Sequence, residues 1–254
     1  MFDGDMKNNV NGGGIELNNV SHSYDGLTVL KNLSLNIKPD EFIVLVGPTG
    51  CGKSTLLNII SSYLKPQEGS LKTNGAIRTV FQKDGLFPWL KVAENISMGL
   101  QSIRMPGHRE KELKELLSII QMEQFRDHYP NQLSGGMRQK VELARALAGD
   151  SNILLMDEPF SSLDYQTRLR LRKELVLLLG KRRRTVVFVT HDIGEAAQLA
   201  DRLLVLSDRP ARICDDLYID IEKPRDITDP RVTEVMRNIL IRMGLQTKDQ
   251  PIIA

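Results

Sequence analysis

The stretch EFIVLVGPTGCGKSTLLNII, residues 41–60, decides how the rest of the chain is interpreted. Residues 42–46 are a short, β-branched apolar run without alternation, which is typical of a strand buried on both faces of a sheet. Residues 47–55 match the pattern GxxxxGK[ST], and the segment STLLNIISSYL from Ser54 onward has the apolar spacing of a helix. Strand, glycine-rich turn and helix in this order predict an α/β fold with a loop that wraps around phosphate groups.

Each part of this loop has a physical role in holding a triphosphate. Glycines let successive backbone N–H groups turn toward phosphate oxygens, and the helix N-terminus adds the positive end of its dipole. We expect Lys53 to act on the β- and γ-phosphates, both in binding and in catalysis, and Ser54 to ligate Mg²⁺. A glycine-rich turn with a surface lysine is the alternative. The residues predicted to bind nucleotide here are Gly47, Pro48, Thr49, Gly50, Cys51, Gly52, Lys53, Ser54 and Thr55.

Further apolar runs predict the remaining strands of the sheet. They lie at residues 78–81, 153–156, 185–189 and 203–207, and helical periodicity between them favours parallel pairing. Before them, residues 15–37 contain short β-type runs broken by turn residues, which predicts antiparallel strands. The predicted fold class is α/β, with a mixed sheet core and an N-terminal antiparallel β part.

The segment between residues 87 and 150 contains no convincing strand. Its helical stretches at residues 94–105, 108–122 and 135–149 predict a helical subdomain inserted into the sheet. We therefore divide the chain into a disordered tail at residues 1–13, a main domain at 14–222 with its helical subdomain at about 87–150, and a helical extension at 223–254. The sequence leaves open whether the extension packs on its own subunit, contacts another or senses a regulator.

Two adjacent carboxylates follow the predicted strand at residues 153–156. The carboxyl ends of strands in open α/β sheets carry ligand-binding groups. Asp157 suits the shell of Mg²⁺, which prefers hard oxygen ligands, and Glu158 suits a general base that polarises the attacking water. Solvated acids at a helix start are the alternative.

A second glycine-flanked helix start lies at residues 133–137, which read LSGGM. It precedes RQKVELARALAG, a segment of strong helix formers with core-type apolar spacing. Ser134, Gly135 and Gly136 are therefore predicted to hold a γ-phosphate through a hydroxyl and exposed N–H groups. A helix cap with no ligand is the alternative.

These motifs, in this order, resemble the ABC transporter ATPase family from about Ile15 to Ser207, with LSGGM where that family has LSGGQ. The resemblance implies an ABC cassette of the P-loop NTPase class that uses ATP and Mg²⁺. It implies that Tyr24 stacks on adenine, that Gln82 senses Mg²⁺ and the membrane partner, that residues 161–164 with Asp164 form the D-loop, and that His191 is the switch histidine. The residues alone leave Tyr24 open as a core aromatic and His191 as a structural histidine.

The resemblance also implies partners. In the family, the LSGGQ segment of one subunit closes on the phosphate loop of another, so a second ATPase subunit, identical or different, is expected. Met137 departs from the family's usual Gln, and Ser162 stands where Ala is common.

Two stretches, LFPW at residues 86–89 and residues 190–213, are similar to importers of nitrate, sulfonate, taurine, bicarbonate and related solutes. This similarity implies transmembrane permease subunits, an extracytoplasmic solute-binding protein and a peripheral position on the cytoplasmic face of the bacterial inner membrane. Exposed Phe87 and Trp89 would suit a docking surface for the permease, and core packing of both is equally open. A soluble ABC ATPase without a transport role is the alternative function.

Composition excludes some other classes. The 254 residues are 41% hydrophobic and 26% charged with a net charge of +2, which argues against a nucleic-acid binder. No apolar run approaches the roughly 20 residues that cross a bilayer. The two cysteines are too few for a disulfide framework. Basic clusters at residues 168–173 and 181–184 are expected to be solvated and to complement a helix C-terminus.

Overall fold

The computed structural model describes residues 13–80, 85–103, 105–161, 163–181 and 183–245. The strands in these ranges are β1 (Ile15–Tyr24), β2 (Leu27–Ile37), β3 (Phe42–Val46), β4 (Glu68–Thr73), β5 (Ile77–Val80), β6 (Ile153–Asp157), β7 (Thr185–Val189), β8 (Arg202–Leu206) and β9 (Ile213–Tyr218). The α-helices are α1 (Lys53–Ile60), α2 (Val92–Gly99), α3 (Pro106–Ile119), α4 (Gly135–Leu147), α5 (Tyr165–Lys181), α6 (Ile193–Leu199) and α7 (Pro230–Arg242).

The strands form two sheets. The first is antiparallel with the order β2-β1-β4, and the second has six strands in the order β5-β6-β7-β3-β8-β9. In the second sheet β5, β6, β7, β3 and β8 are parallel, and β9 runs antiparallel to β8 at the edge. The predicted mixed sheet, the antiparallel N-terminal part and the helices between β5 and β6 are confirmed.

The six-stranded sheet separates two hydrophobic cores, and strand β3 contributes to both. Val44 and Val46 belong to the core that contains the apolar faces of α2 to α7. Ile43 and Leu45 belong to the core formed with α1 and the antiparallel sheet. Because successive side chains of a strand point to opposite faces, burial on both sides explains why β3 has no polar alternation.

Two strands, β4 and β9, were not predicted from the sequence. Strand β4 is largely exposed, and β9 alternates between exposed and half-buried residues with acidic side chains such as Asp215. Both lie at sheet edges, where pairing with a neighbour stabilises the strand and little apolar pattern is needed. Hydrophobic periodicity is therefore a poor guide to them.

Helices α1 and α2 end earlier than the sequence predicted. Helix α1 ends at Ile60, two residues before Ser62, which has a φ of +62°. Helix α2 ends at Gly99, where a Cβ atom would lie 2.4 Å from the Arg145 carbonyl oxygen of α4. Glycine is needed at this position because α2 and α4 approach closely there.

Predictions were made for both ends of the chain, and the structure describes only part of each end. Of the predicted disordered tail, residues 1–12 lie outside the described residues, and Gly13 is buried and donates its N–H to the Asn152 carbonyl at 3.4 Å. Helix α7 packs on α6 of its own chain and buries Val232 and Ile239 completely. Among the described residues, no helix is both long and apolar enough to cross a membrane.

The prediction that the basic clusters are solvated was wrong for two arginines. Arg172 is 3% exposed within ion pairs to α6, and Arg184 is buried. Arg184 donates to the carbonyls of Leu147 and Gly149, each at 2.7 Å. This cation therefore complements the C-terminal end of α4, not the end of α5 that precedes it in sequence.

Candidate nucleotide-binding site

The loop between β3 and α1 requires glycine at two positions. Gly50 and Gly52 have φ angles of +76° and +123°, a region that other residues rarely adopt. A Cβ atom at Gly52 would lie 2.8 Å from Val29 Cγ1. The loop therefore sits directly against the antiparallel sheet, and helix α1 begins at the next residue, Lys53.

The ammonium group of Lys53 is held at this loop. It is 7% exposed and donates to the carbonyls of Gly47 and Pro48, both at 2.8 Å. Cys51 is also buried, and this burial raises the pKa of its thiol despite the nearby Lys53 cation. A neutral thiol in this position acts as a packing group.

Asp157 lies at the carboxyl end of β6, close enough to the Ser54 hydroxyl for this group to lower the pKa of its carboxyl. Burial raises the pKa of Asp157, the neighbouring Glu158 raises it further, and the Ser54 hydroxyl and the Lys53 cation lower it in part. Ser54 and Asp157 together offer hard oxygen atoms, the ligands Mg²⁺ prefers, so the residues present fit this ion. Among the described residues no cluster of three or more His, Cys, Asp or Glu side chains could hold a metal by itself.

Glu158 and His191 meet because their strands are neighbours. Asp157 pairs with Val189 in the parallel ladder, and the Glu158 N–H donates to the Val189 carbonyl at 3.0 Å. Glu158 Oε2 lies 3.2 Å from His191 Nδ1, and the backbone at Glu158 has a φ of +46°. Such a backbone angle is uncommon outside glycine, and residues that hold one cluster at functional sites.

The structure describes Tyr24, which is predicted to stack on adenine, but not Gln82, which is predicted to sense Mg²⁺. Tyr24 ends β1, is 43% exposed and contacts the His22 ring edge-on at 4.8 Å. Its exposure excludes the core-aromatic alternative. Gln82 lies outside the described residues, and so does Ser162 of the D-loop.

Ser134 and Asp164 each cap a helix, and the two helix starts lie side by side. The Ser134 hydroxyl accepts from the Met137 N–H at 3.3 Å, and Asp164 Oδ1 accepts from the Thr167 N–H at 3.0 Å. Hydrogen bonds from Thr167 lower the pKa of Asp164. A Cβ atom at Gly136 would lie 3.0 Å from Thr167 Cγ2, so α4 and α5 begin in contact.

The LFPW segment forms an ordered surface loop. Trp89 is 69% exposed, and its ring centroid lies 5.5 Å from that of half-buried Phe87. Asn95 is fully buried and organises the loop, accepting from the Phe87 N–H at 2.9 Å and donating to the Leu90 carbonyl at 2.9 Å. Core packing is therefore excluded for Trp89.

Sequence reasoning missed an ion-pair network next to His191. Arg168 and Arg172 of α5 contact Asp192, and Arg172 also contacts Glu195. The spacing of the two arginines on one helix face was visible, but the acidic partners follow in sequence only twenty residues or more later. Nothing local connects the two groups.

Fold and site together define an α/β nucleotide-binding protein with a phosphate loop. The ABC transporter family model matches residues 30–161. The chain is 44% identical over 220 residues to an uncharacterised ABC transporter ATP-binding protein of Methanocaldococcus jannaschii, covering 83% of this chain and 82% of the relative. It is 38% identical over 234 residues to an aliphatic sulfonates import ATP-binding protein of Streptomyces avermitilis, covering 92% of this chain and 87% of the relative.

A solved structure agrees with these relatives. A dimeric post-hydrolysis ATP-binding cassette bound to ADP and Pi has a TM-score of 0.72 and 33% identity, covering 82% of this chain and all of that one. The fold is an ABC cassette. The chain belongs to the ATP-binding proteins of the ABC transporter family.

Proposed function

We propose that this chain is the ATP-hydrolysing subunit of an ABC importer for a small solute. The observation that carries the proposal is the 3.2 Å approach of Glu158 and His191 beside the phosphate loop. A carboxylate next to an imidazole, at the carboxyl ends of adjacent parallel strands, is suited to orient one water molecule toward a γ-phosphate.

The proposed roles follow from the geometry of each group. Glu158 accepts a proton from the attacking water, whose oxygen bonds to the γ-phosphorus while the bond to the bridging oxygen breaks. The products are ADP and phosphate, and the proton leaves Glu158 with the phosphate or to solvent. His191 contacts both the γ-phosphate and the Glu158 carboxylate and so fixes their relative positions. Lys53 donates to phosphate oxygens. Mg²⁺, held by Ser54 and Asp157, would neutralise charge on the β- and γ-phosphates.

We assign the remaining contacts as the family resemblance implies. Tyr24 stacks on adenine, Gln82 contacts Mg²⁺, and Ser134 with its two glycines holds the γ-phosphate of a second subunit's ATP. Such bridging by ATP makes the closed dimer the ATP-bound state, and hydrolysis removes the bridge. The D-loop residue Asp164 lies beside this helix start.

For the solute, we favour a small solute of the sulfonate, nitrate, taurine or bicarbonate class. The sulfonate-importer relative supports this choice. The exposed Trp89 suits docking to a permease. In this proposal the subunit works with transmembrane permease subunits and an extracytoplasmic binding protein, on the cytoplasmic face of the bacterial inner membrane.

The hydrolysis roles are tested with Glu158→Gln, which keeps the shape of the side chain and removes the base. We expect turnover of saturating Mg-ATP to fall by about 100-fold or more while ATP still binds. Glu68→Gln, at an exposed strand position, is the matched control and should leave turnover unchanged. An unchanged turnover in Glu158→Gln would reject the base assignment.

A further inference from the structure

Two arginines on one face of α5 share a single carboxylate of the loop after β7. Arg168 and Arg172 lie one helical turn apart and donate to Asp192 Oδ2 at 3.0 and 2.9 Å. Asp192 directly follows His191 in the chain. Helix α5 is thus bonded to the segment that carries His191.

The same arginine that reaches Asp192 also reaches the segment leading into α5. Arg168 Nη2 donates to the Leu163 carbonyl at 3.1 Å. Leu163 and Thr167 in turn lie against the start of α4, because a Cβ atom at Gly136 would be 3.6 Å from Leu163 Cδ2 and 3.0 Å from Thr167 Cγ2. Contacts therefore run without a break from the α4 helix start, through Arg168, to the residue next to His191.

The backbone on both sides of His191 is anchored by this network. Thr190 Oγ1 accepts from the Asp192 N–H at 3.0 Å and donates to Glu195 Oε2 at 2.6 Å. Arg172 donates to Glu195 Oε1 at 2.9 Å, and the side chains of both are less than 5% exposed. The His191 side chain itself is 60% exposed, so its position depends on its anchored backbone more than on packing around the ring.

The charges of the network balance, with two guanidinium groups facing two carboxylates. Burial alone would raise the pKa of Asp192, but Arg172, the Glu195 N–H and Arg168 together outweigh it, and the pKa is lowered. Burial raises the pKa of Glu195 despite its bonds to Thr190 and Arg172. Asp192 is therefore the firmly ionised acceptor of the pair, and buried charge-assisted bonds of this kind hold geometry tightly.

We infer that Arg168 and Arg172 are positioning residues for hydrolysis. They hold His191 against Glu158 and couple the position of His191 to the position of the α4 helix start. The inference rests on the hydrolysis roles proposed above for Glu158 and His191. It adds that the surface proposed to read a second subunit's ATP and the hydrolysis site of the same chain are joined by direct contacts. Closure at one site would thereby set the geometry of the other.

The test is a double-mutant cycle on the full chain, with single-turnover and steady-state hydrolysis of Mg-ATP as readouts. Arg168→Gln is made in the wild-type and in the His191→Ala background. Arg168 is preferred because Arg172 is 3% exposed, and its loss would leave the buried Glu195 carboxylate without a cation. Arg170→Gln, at an exposed position of the same helix, is the matched control.

We expect Arg168→Gln to lower kcat by about 10-fold or more with KM for ATP changed less than about 2-fold, since small misplacements of a reacting group are costly. In the His191→Ala background the same change should lower the rate less than about 2-fold, because the two residues act through one another. Arg168→Lys, which retains a cation near Asp192, should recover part of the rate. Arg170→Gln should leave the rate of each parent, wild type and His191→Ala, unchanged.

Three results would overturn the inference: no fall in kcat, an equal fall in both backgrounds, or a rise in KM that accounts for the loss, as a purely structural role would produce. A failure of the hydrolysis proposal is recognised separately, because Glu158→Gln would then retain turnover whatever Arg168→Gln does.

Discussion

At the scale of single residues, two adjacent carboxyl groups in the site have different environments. Asp157 is enclosed at the end of β6, where burial raises its pKa, and the Ser54 hydroxyl offsets this only in part. Glu158 has a positive φ and its carboxylate lies 3.2 Å from His191 Nδ1. An ionised Asp157 is therefore a cost to folding, which its proposed role as a Mg²⁺ ligand would explain.

This cost predicts the effect of Asp157→Asn on stability. An acid with a raised pKa in the folded state destabilises the fold at pH values above that pKa, where it must ionise, and has no such effect once pH falls below its unfolded pKa. We expect Asp157→Asn to raise the thermal midpoint at pH 7 to 8, with the gain shrinking as pH falls into the ordinary range of aspartate. Thermal unfolding of both proteins across pH 4 to 8 measures this, and a gain that grows on acidification would contradict it.

Tyr24 permits a second prediction at this scale, because its ring is exposed at the end of β1. Tyr24→Ala should weaken ATP binding by about 5- to 100-fold, the range expected when one base loses an aromatic stacking partner. Tyr24→Phe keeps the ring and should bind within about 2-fold of wild type. Equal ATP affinity in all three proteins, measured by calorimetry, would remove Tyr24 from the adenine site.

At the scale of elements, helix α7 is attached to the rest of the chain through a narrow apolar face. Val232 and Ile239 are fully buried against α6, and Asp229 caps the helix by accepting from the Arg231 N–H at 2.9 Å. Arg225 further fixes this region by donating to the Ala197 and Ala200 carbonyls at the end of α6. The helix is therefore part of the folded unit and not a loose appendage.

Shortening a buried side chain on this face of α7 should destabilise the folded protein. We expect Ile239→Ala to lower the free energy of unfolding by about 2 to 4 kcal/mol, because a large buried side chain is removed. Asn238→Ala, at the exposed neighbouring position, should change it by less than about 0.5 kcal/mol. Denaturant unfolding compares the two, and equal small effects would show that α7 contributes little to stability.

Elements differed in how far they were predictable from sequence. Strands β3 and β7 are buried on both faces, so their continuous apolar runs marked them clearly, and the phosphate loop followed from its glycine spacing and its strand–helix context. Edge strand β9 carries acidic residues that mask its pairing with β8. The Arg172 network was invisible because its partners come together only through tertiary packing of α5 on α6. The role of Gln82 and the positions of the domain boundaries stay predictions.

At the scale of the whole molecule, the six-stranded sheet separates a phosphate-loop side from a helical side. Lys53 and Ser54 begin α1, which packs in the core shared with the antiparallel sheet. The LFPW loop and the α4 helix start belong to the helical side. A nucleotide that bridges two chains would therefore contact the phosphate-loop side of one chain and the helical side of the other, and a permease that contacts Trp89 would act on the helical side.

If Trp89 docks on the permease, its removal should weaken assembly of the complex and leave the stability of the isolated chain unchanged. Trp89→Ala should reduce recovery of the complex with its co-purifying permease by about 10-fold or more, as expected for an interface aromatic, while the thermal midpoint of the isolated chain stays unchanged. Tyr63→Ala removes an aromatic ring that is even more exposed, at 81%, and should leave assembly intact. Equal recovery of wild type and Trp89→Ala would contradict a docking role.

We propose that ATP joins two copies of this cassette and that Glu158 ends the closed state by hydrolysis. The most direct measurement is the mass of Glu158→Gln in solution, by sedimentation, with and without saturating Mg-ATP. The account predicts a monomer without nucleotide and a stable dimer with Mg-ATP, and Ser134→Arg in the same background should abolish the dimer. A Glu158→Gln protein that stays monomeric at saturating Mg-ATP, or that dimerises equally without it, would contradict the account.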